Sequence, residues 1–288
     1  MLDRILVPTD GSPESERALA IAQRIARAQG AELLLARVAE PMTAALASGD
    51  DGAGAELYET MERQLEAEAA GGLEALEDRL RSEGYRTRTV LLRGSAASAL
   101  LDTEAREQPG LVVIATHGRG GLARFALGSV TDRLVREGQC PVLVVRRGGA
   151  NVGADVGSDV GPMERALVML DGSGVAEEVL PIVEALAGKP VTSVRLFRAV
   201  ADPTDREAAH TYLDGVAARL VGHFSSVEPV VDIGEPRHVI ERAAHGVDLV
   251  ALCTHGRSGF ERLRHGSVAE FVTREVDKPA LLVRARAR

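Results

Sequence analysis

Cysteine is scarce in this sequence: Cys140 and Cys253 are the only two, too few for a disulfide framework or a four-ligand zinc site. Lysine is equally rare. Arginine supplies nearly all the positive charge, and Lys189 and Lys278 are the only lysines. Neither ends a glycine-rich loop, so the phosphate loop that closes on Lys-Ser or Lys-Thr is excluded. No apolar run approaches the ~20 residues needed to cross a bilayer as a helix. Nor is there an excess of positive charge. The formal net charge of −8 does not favour a nucleic-acid backbone as the main partner. Met1-Leu2-Asp3-Arg4 runs straight into an apolar segment, which leaves no space for a charged leader and its apolar stretch. A cytoplasmic protein that avoids membranes and nucleic acid is the expectation.

The 288 residues, 45% apolar and 26% charged, have the composition of a globular chain rather than a disordered one. At ~150 residues per domain the length suggests two domains. An internal repeat supports that division. Arg4-Ile5-Leu6-Val7-Pro8-Thr9-Asp10-Gly11-Ser12 returns as Arg165-Ala166-Leu167-Val168-Met169-Leu170-Asp171-Gly172-Ser173, and Thr116-His117-Gly118-Arg119 returns as Thr254-His255-Gly256-Arg257. Leu127-Gly128-Ser129-Val130 matches His265-Gly266-Ser267-Val268, and Cys140-Pro141-Val142-Leu143-Val144-Val145-Arg146 parallels Lys278-Pro279-Ala280-Leu281-Leu282-Val283-Arg284. Pairing Val38 with Val200 and Gly94 with Gly234 places the length difference between those landmarks, so the second repeat is the first with one segment shortened. The expected boundaries are 1–147 and 163–288. Residues 148–162, rich in Gly, Ala and Asp, read as a linker.

Each repeat alternates short apolar runs with segments of helical period. Ile5 to Thr9 is apolar throughout, as a strand buried on both faces should be. Ser12-Pro13 supplies a cap and a proline fit for the first helical turn. Ala18, Ile21, Ala22 and Ile25 follow at helical spacing, and Gly30 ends the helix. Strands are predicted at Glu32 to Val38, Thr87 to Leu92, Leu111 to Thr116 and Val142 to Arg146. Helices are predicted from Met61 to Leu80, Ala96 to Glu107 and Ser129 to Glu137. The second repeat runs the same way, with its second helix, around Asp205 to Val221, shortened. Alternation of this kind makes an α/β fold: two tandem doubly wound domains, each on a five-stranded parallel sheet.

Such sheets bind ligands beyond the carboxyl ends of their strands, where the strand order reverses. If the order is 3-2-1-4-5, the polar clusters after strand one (Thr9-Asp10-Gly11-Ser12) and strand four (Thr116-His117-Gly118-Arg119) line one crevice. Gly128-Ser129 opens the following helix, whose first turn offers unpaired N–H groups and a partial positive charge to an anion. The Asp10 carboxylate suits an amino group or a ribose hydroxyl. Plainer readings stand beside these. In these, Asp10 only shapes a turn, the glycines only permit left-handed backbone, and Cys140 is a small buried hydrophobe.

The spacing of Gly118 and Gly128-Ser129, repeated at Gly256 and Gly266-Ser267, resembles the phosphate motif of the universal stress protein family. The likeness extends to the Val-Pro-Thr-Asp-Gly-Ser opening and the Cys-Pro-Val-Leu-Val-Val ending, and it covers nearly the whole chain twice. It implies an adenine-nucleotide α-hydrolase-like fold that binds ATP, with Mg2+ bridging the phosphates. By resemblance, Pro8, Thr9 and Asp10 border the adenine, and Val38 lies against its face. Ala115, His117 and Gly118 line the ribose and phosphates, while Gly128, Ser129, Val130 and Thr131 hold the phosphate tail. The matching second-domain positions are Leu170, Asp171, Val200, Cys253, His255, Gly256, Gly266, Ser267 and Val268. That set departs further from the family pattern: Cys253 replaces the motif's first glycine and Ala269 stands in place of Thr131. Stronger binding in the first domain follows. The resemblance also implies pairing of the two domains through their last strands, an internal pseudo-dimer, with further homodimerisation and protein partners. No base with a paired metal-binding carboxylate is evident, so a nucleotide-dependent binding module is favoured over a slow ATPase or a nucleotide-free scaffold.

Overall fold

The computed structural model describes residues 2–40, 53–116, 127–146, 162–254 and 267–285, with the backbone alone over 53–58. The first half is built from β1 (Arg4–Pro8), α1 (Pro13–Gln29), β2 (Glu32–Ala39), α2 (Ala53–Ser82), β3 (Thr87–Arg93), α3 (Ala96–Glu107), β4 (Leu111–Ala115), α4 (Ser129–Glu137) and β5 (Val142–Val145). Ile5, Leu6 and Val7 are fully buried, so β1 lies covered on both faces. The Ser12 side chain accepts the Ser15 N–H, Pro13 sits in the first turn of α1, and Gly30 ends that helix at φ 65°. Few residues other than glycine hold such a left-handed cap cheaply.

The second half repeats the series with β6 (Arg165–Met169), α5 (Leu180–Ala185), β7 (Ser193–Val200), α6 (Arg206–Leu220), β8 (Ser226–Ile233), α7 (Pro236–Ala243), β9 (Leu249–Cys253), α8 (Ser267–Glu275) and β10 (Ala280–Val283). As expected, the second crossover helix is shortened: α6 has 15 residues against 30 in α2. The first crossover also differs, which the repeat did not suggest. In place of the 17-residue α1 stand a 3-10 turn over Ala176–Val179 and the six-residue α5. Pro181 gives the reason, because proline lacks the N–H that a continuous helix would use there.

The strand order is β3-β2-β1-β4-β5-β10-β9-β6-β7-β8 in a single ten-stranded sheet. Each half therefore has the order 3-2-1-4-5. Neighbours within each half are parallel. The halves meet where β5 and β10 pair antiparallel, with Leu143 opposite Leu281. One face of the sheet is covered by α1, α2, α5 and α6, through Ile25, Leu80, Ile182 and Leu213. The other is covered by α3, α4, α7 and α8, through Leu100, Leu134, Val239 and Val272. An aliphatic core thus forms on both sides of the sheet, and the two halves share it.

Strand register corrects one repeat pairing. Pro8 lies beside Ala36 in the first half, and Met169 beside Phe197 in the second. The counterpart of Val38 is therefore Ala199. Val200 is one residue further on, and side chains alternate along a strand, so it faces the opposite side of the sheet.

Two arginines reinforce the central seam reciprocally. Arg146, just after β5, donates to the Val276 carbonyl beyond α8 at 3.1 Å. Arg284, just after β10, donates to the Glu137 carbonyl at the end of α4 at 2.9 Å. Each cation thus meets the carbonyl-rich end of the other half's last helix, where the helix dipole favours positive charge. Arg146→Ala should lower the unfolding free energy by about 1 kcal/mol, read as an earlier urea midpoint at unchanged m-value.

Candidate functional site

At the reversal in the first half, the chain leaves β1 toward one face of the sheet and β4 toward the other. A cleft of about 650 Å3 opens there. Its lining includes Pro8, Thr9 and Asp10 after β1, Val38 on β2, Ala115 at the end of β4, and Gly128, Ser129, Val130 and Thr131 at the start of α4. These are all the first-half residues expected from the motif except His117 and Gly118, which lie outside the described residues. The second-half His255, Gly256 and Gly266 lie outside them too.

Hydrogen bonds set the walls. The Thr131 hydroxyl donates to the Ala115 carbonyl at 2.9 Å, and the Gly128 N–H donates to the Thr116 carbonyl at 2.7 Å. Together they hold the first turn of α4 against the end of β4. Gly128 is the N-cap residue and offers no side chain to cap the helix. The N–H groups of Ser129, Val130 and Thr131 have no acceptor within α4, because a helix leaves its first N–H groups unbonded. On the other wall, Asp10 Oδ1 accepts the Ser12 N–H at 3.0 Å. The turn-forming reading of Asp10 is thus realised, and the carboxylate also lines the cleft. Thr9 accepts from Gly11 N–H and shares a hydrogen bond with Ser15 Oγ, which ties the loop after β1 to α1. A cleft with apolar lining, a carboxylate on one side and a helix start on the other can hold a polar-edged molecule that carries an anionic tail.

The sequence model of the universal stress protein family matches residues 1–146 and again 163–284. This chain belongs to the universal stress protein family. Over 319 aligned residues it is 27% identical to a universal stress protein of Mycolicibacterium smegmatis, covering 98% of this chain and 97% of that one. A universal stress protein of Thermus aquaticus is 34% identical over 147 residues, 51% of this chain and all of the relative. Among solved structures, a universal stress protein from Archaeoglobus fulgidus superposes with a TM-score of 0.71 at 17% identity, over 99% of each chain. That last likeness concerns the fold alone.

Within this family member the two halves are not equivalent. Leu170 stands where Thr9 does and removes a hydroxyl. Asp171 Oδ1 accepts from both the N–H and the hydroxyl of Ser173. Cys253, the counterpart of Ala115, is buried at the end of β9, and Ser267 and Val268 begin α8. Thr131 becomes Ala269, so the hydroxyl tie between helix and strand is absent.

Several cleft residues were not expected from the sequence: Ser15, Ala36, Glu40, Ala96, Leu100 and Ile114. Ala36 was legible in principle, as a small residue after Leu33-Leu34-Leu35 and two before Val38 on the same face. Glu40 accepts the Ala96 N–H at 3.3 Å and so bridges the ends of β2 and α3; no local pattern marks that contact.

Burial pushes both thiols up, to about 12 for Cys140 and about 12 for Cys253, with nearby carboxylates adding to the effect. Both thiols are therefore almost wholly protonated at pH 8, and the thiolate is the reactive form. Iodoacetamide at pH 8 should therefore label neither cysteine in the folded protein and both in urea, as read by mass spectrometry.

Proposed function

We propose that the chain is a stress-response module that holds ATP, with Mg2+, in the first-half cleft. The observation that carries this reading is convergence: five separate chain segments meet around one cleft that ends at a helix start with no capping side chain at its N-cap residue. The fit is consistent in size and chemistry. A volume of about 650 Å3 lies within the ~300–1,000 Å3 usual for ligand sites. Pro8, Val38, Leu100 and Ile114 offer apolar surface to a base. Asp10 provides an acceptor for a ribose hydroxyl. The N–H groups of Ser129, Val130 and Thr131 and the α4 dipole suit the phosphates.

Among the described residues no group of three or more His, Cys, Asp or Glu could hold a metal ion. A magnesium ion would therefore be bound mainly through phosphate oxygens and water, as is common for this cation. In the proposed role the protein binds, orients and encloses the nucleotide; the signal is the occupied state. No described residue of the cleft is arranged as a base against a metal-binding pair, so efficient phosphoryl transfer is not part of the proposal. We also propose domain boundaries at 1–147 and 163–288, a cytoplasmic location and further self-association. Among the described residues no helix is long and apolar enough to cross a membrane.

Gly128 offers a clean test. Its φ of −58° suits any residue, so valine there adds bulk beside the phosphates without straining the backbone. Gly128→Val should weaken ATP binding at least about tenfold, or ~1.4 kcal/mol, by isothermal titration, with circular dichroism and melting temperature nearly unchanged. An unaltered affinity would remove the phosphate assignment. Sustained phosphate release over many turnovers, abolished by the same substitution, would favour the ATPase reading instead.

A further inference from the structure

We propose that the second half carries its own plug, the Phe197 side chain, and that the chain consequently takes one nucleotide rather than two. The inference rests on the first cleft being a nucleotide site. It adds which half binds and why the other does not.

Strand register aligns the two halves residue by residue. In the first half the Thr9 N–H donates to the Ala36 carbonyl at 2.8 Å, and in the second the Leu170 N–H donates to the Phe197 carbonyl at 2.9 Å. Pro8 pairs with Ala36 and Met169 with Phe197. Ala36 and Phe197 therefore occupy the same place on the same face of equivalent strands. Ala36 sits in the floor of the first cleft, among Pro8, Val38, Leu100 and Ile114. The corresponding second-half residues are Met169, Ala199, Ile240 and Leu252, and all of them pack in or against the cluster that contains Phe197.

Ala36 is itself buried where it lines the cleft, and its methyl group occupies far less of the volume there than a benzyl group would. Phe197 is 1% exposed and ranks among the largest fully buried side chains of the protein. Its flat aromatic ring takes part of the volume that a base would need. One neighbouring change acts in the same direction, since Pro8 becomes the longer Met169, which packs against the same cluster. Solvent and ligand are both excluded by close packing, because interiors at native density leave few voids larger than water.

The position is hidden from motif reading. It lies on β2 and β7, far along the chain from the glycines that mark the phosphate end. A half can keep Gly266-Ser267 and still have no space for the base.

The test uses the full-length chain. Titration of the wild type with ATP and Mg2+ should saturate at one nucleotide per chain. Ala36→Phe, which installs the plug in the first half, should weaken ATP binding more than about tenfold. Phe197→Ala should lower the melting temperature by roughly 10 °C. Millimolar indole, a flat apolar probe, should restore several degrees of that loss while shifting the wild type less, since cavities lined by apolar groups accept such ligands. Should Phe197→Ala fail to fold, Phe197→Leu serves, with a smaller drop and a smaller indole response. Two nucleotides per wild-type chain, or full affinity in Ala36→Phe, would overturn the inference. So would a Phe197 variant whose stability responds to indole no more than the wild type does. If the wild type binds no ATP at all, the nucleotide reading fails, and the indole response alone decides whether Phe197 fills a base-sized space.

Discussion

Parallel strands cannot be joined by a hairpin, and this constraint shapes everything else in the molecule. Each strand must be followed by a segment that crosses back over the sheet, and the crossing is made on one face or the other. After β1 the chain crosses by α1 on one face. After β4 it crosses by α4 on the other. Two neighbouring strands whose continuations part in opposite directions leave a gap at their carboxyl ends. The cleft is that gap. The Thr131–Ala115 and Gly128–Thr116 hydrogen bonds keep its α4 wall in place, and the Asp10 and Ser12 turn shapes the β1 wall.

The same constraint operates in the second half, with a different result. Register and strand order are repeated, yet Phe197 stands where the first half has Ala36. On the proposal above, the fold is duplicated and the site is not. What the second half contributes instead is an edge. Its β10 pairs with β5 and leaves neither last strand exposed. Unpaired strand edges invite association, so the seam answers a need that each half would otherwise meet with another chain. The reciprocal arginines, Arg146 and Arg284, anchor that seam at helix ends.

The site was legible where chemistry requires particular backbone. Glycine and serine before a helix, and a short polar turn after a strand, are local features, and they identified Thr9, Asp10, Gly128 and Ser129 correctly as neighbours in space. Residues that contribute only size were not legible. Ala36, Ala96 and Leu100 are ordinary core residues in sequence, and their importance comes from what lies across from them. The pairing of Val38 with Val200 failed for a related reason. Valine beside alanine looks the same to a one-residue slip, but the slip moves a side chain to the other face of the sheet.

By itself the amino-acid order determined the alternation of strand and helix, the repeat, the parallel sheets and the shortened second crossover, because each depends on short-range periodicity, caps and glycines. It did not determine that α1 has only a broken counterpart, nor which face each residue of β7 presents. Those depended on Pro181 within its packing and on hydrogen-bond register with β6. Most of all, whether a crevice stays open was decided in three dimensions. Ala36 and Phe197 are both acceptable strand residues, and only the volume bounded by the neighbouring strands and the overlying helix distinguishes a cleft from a core.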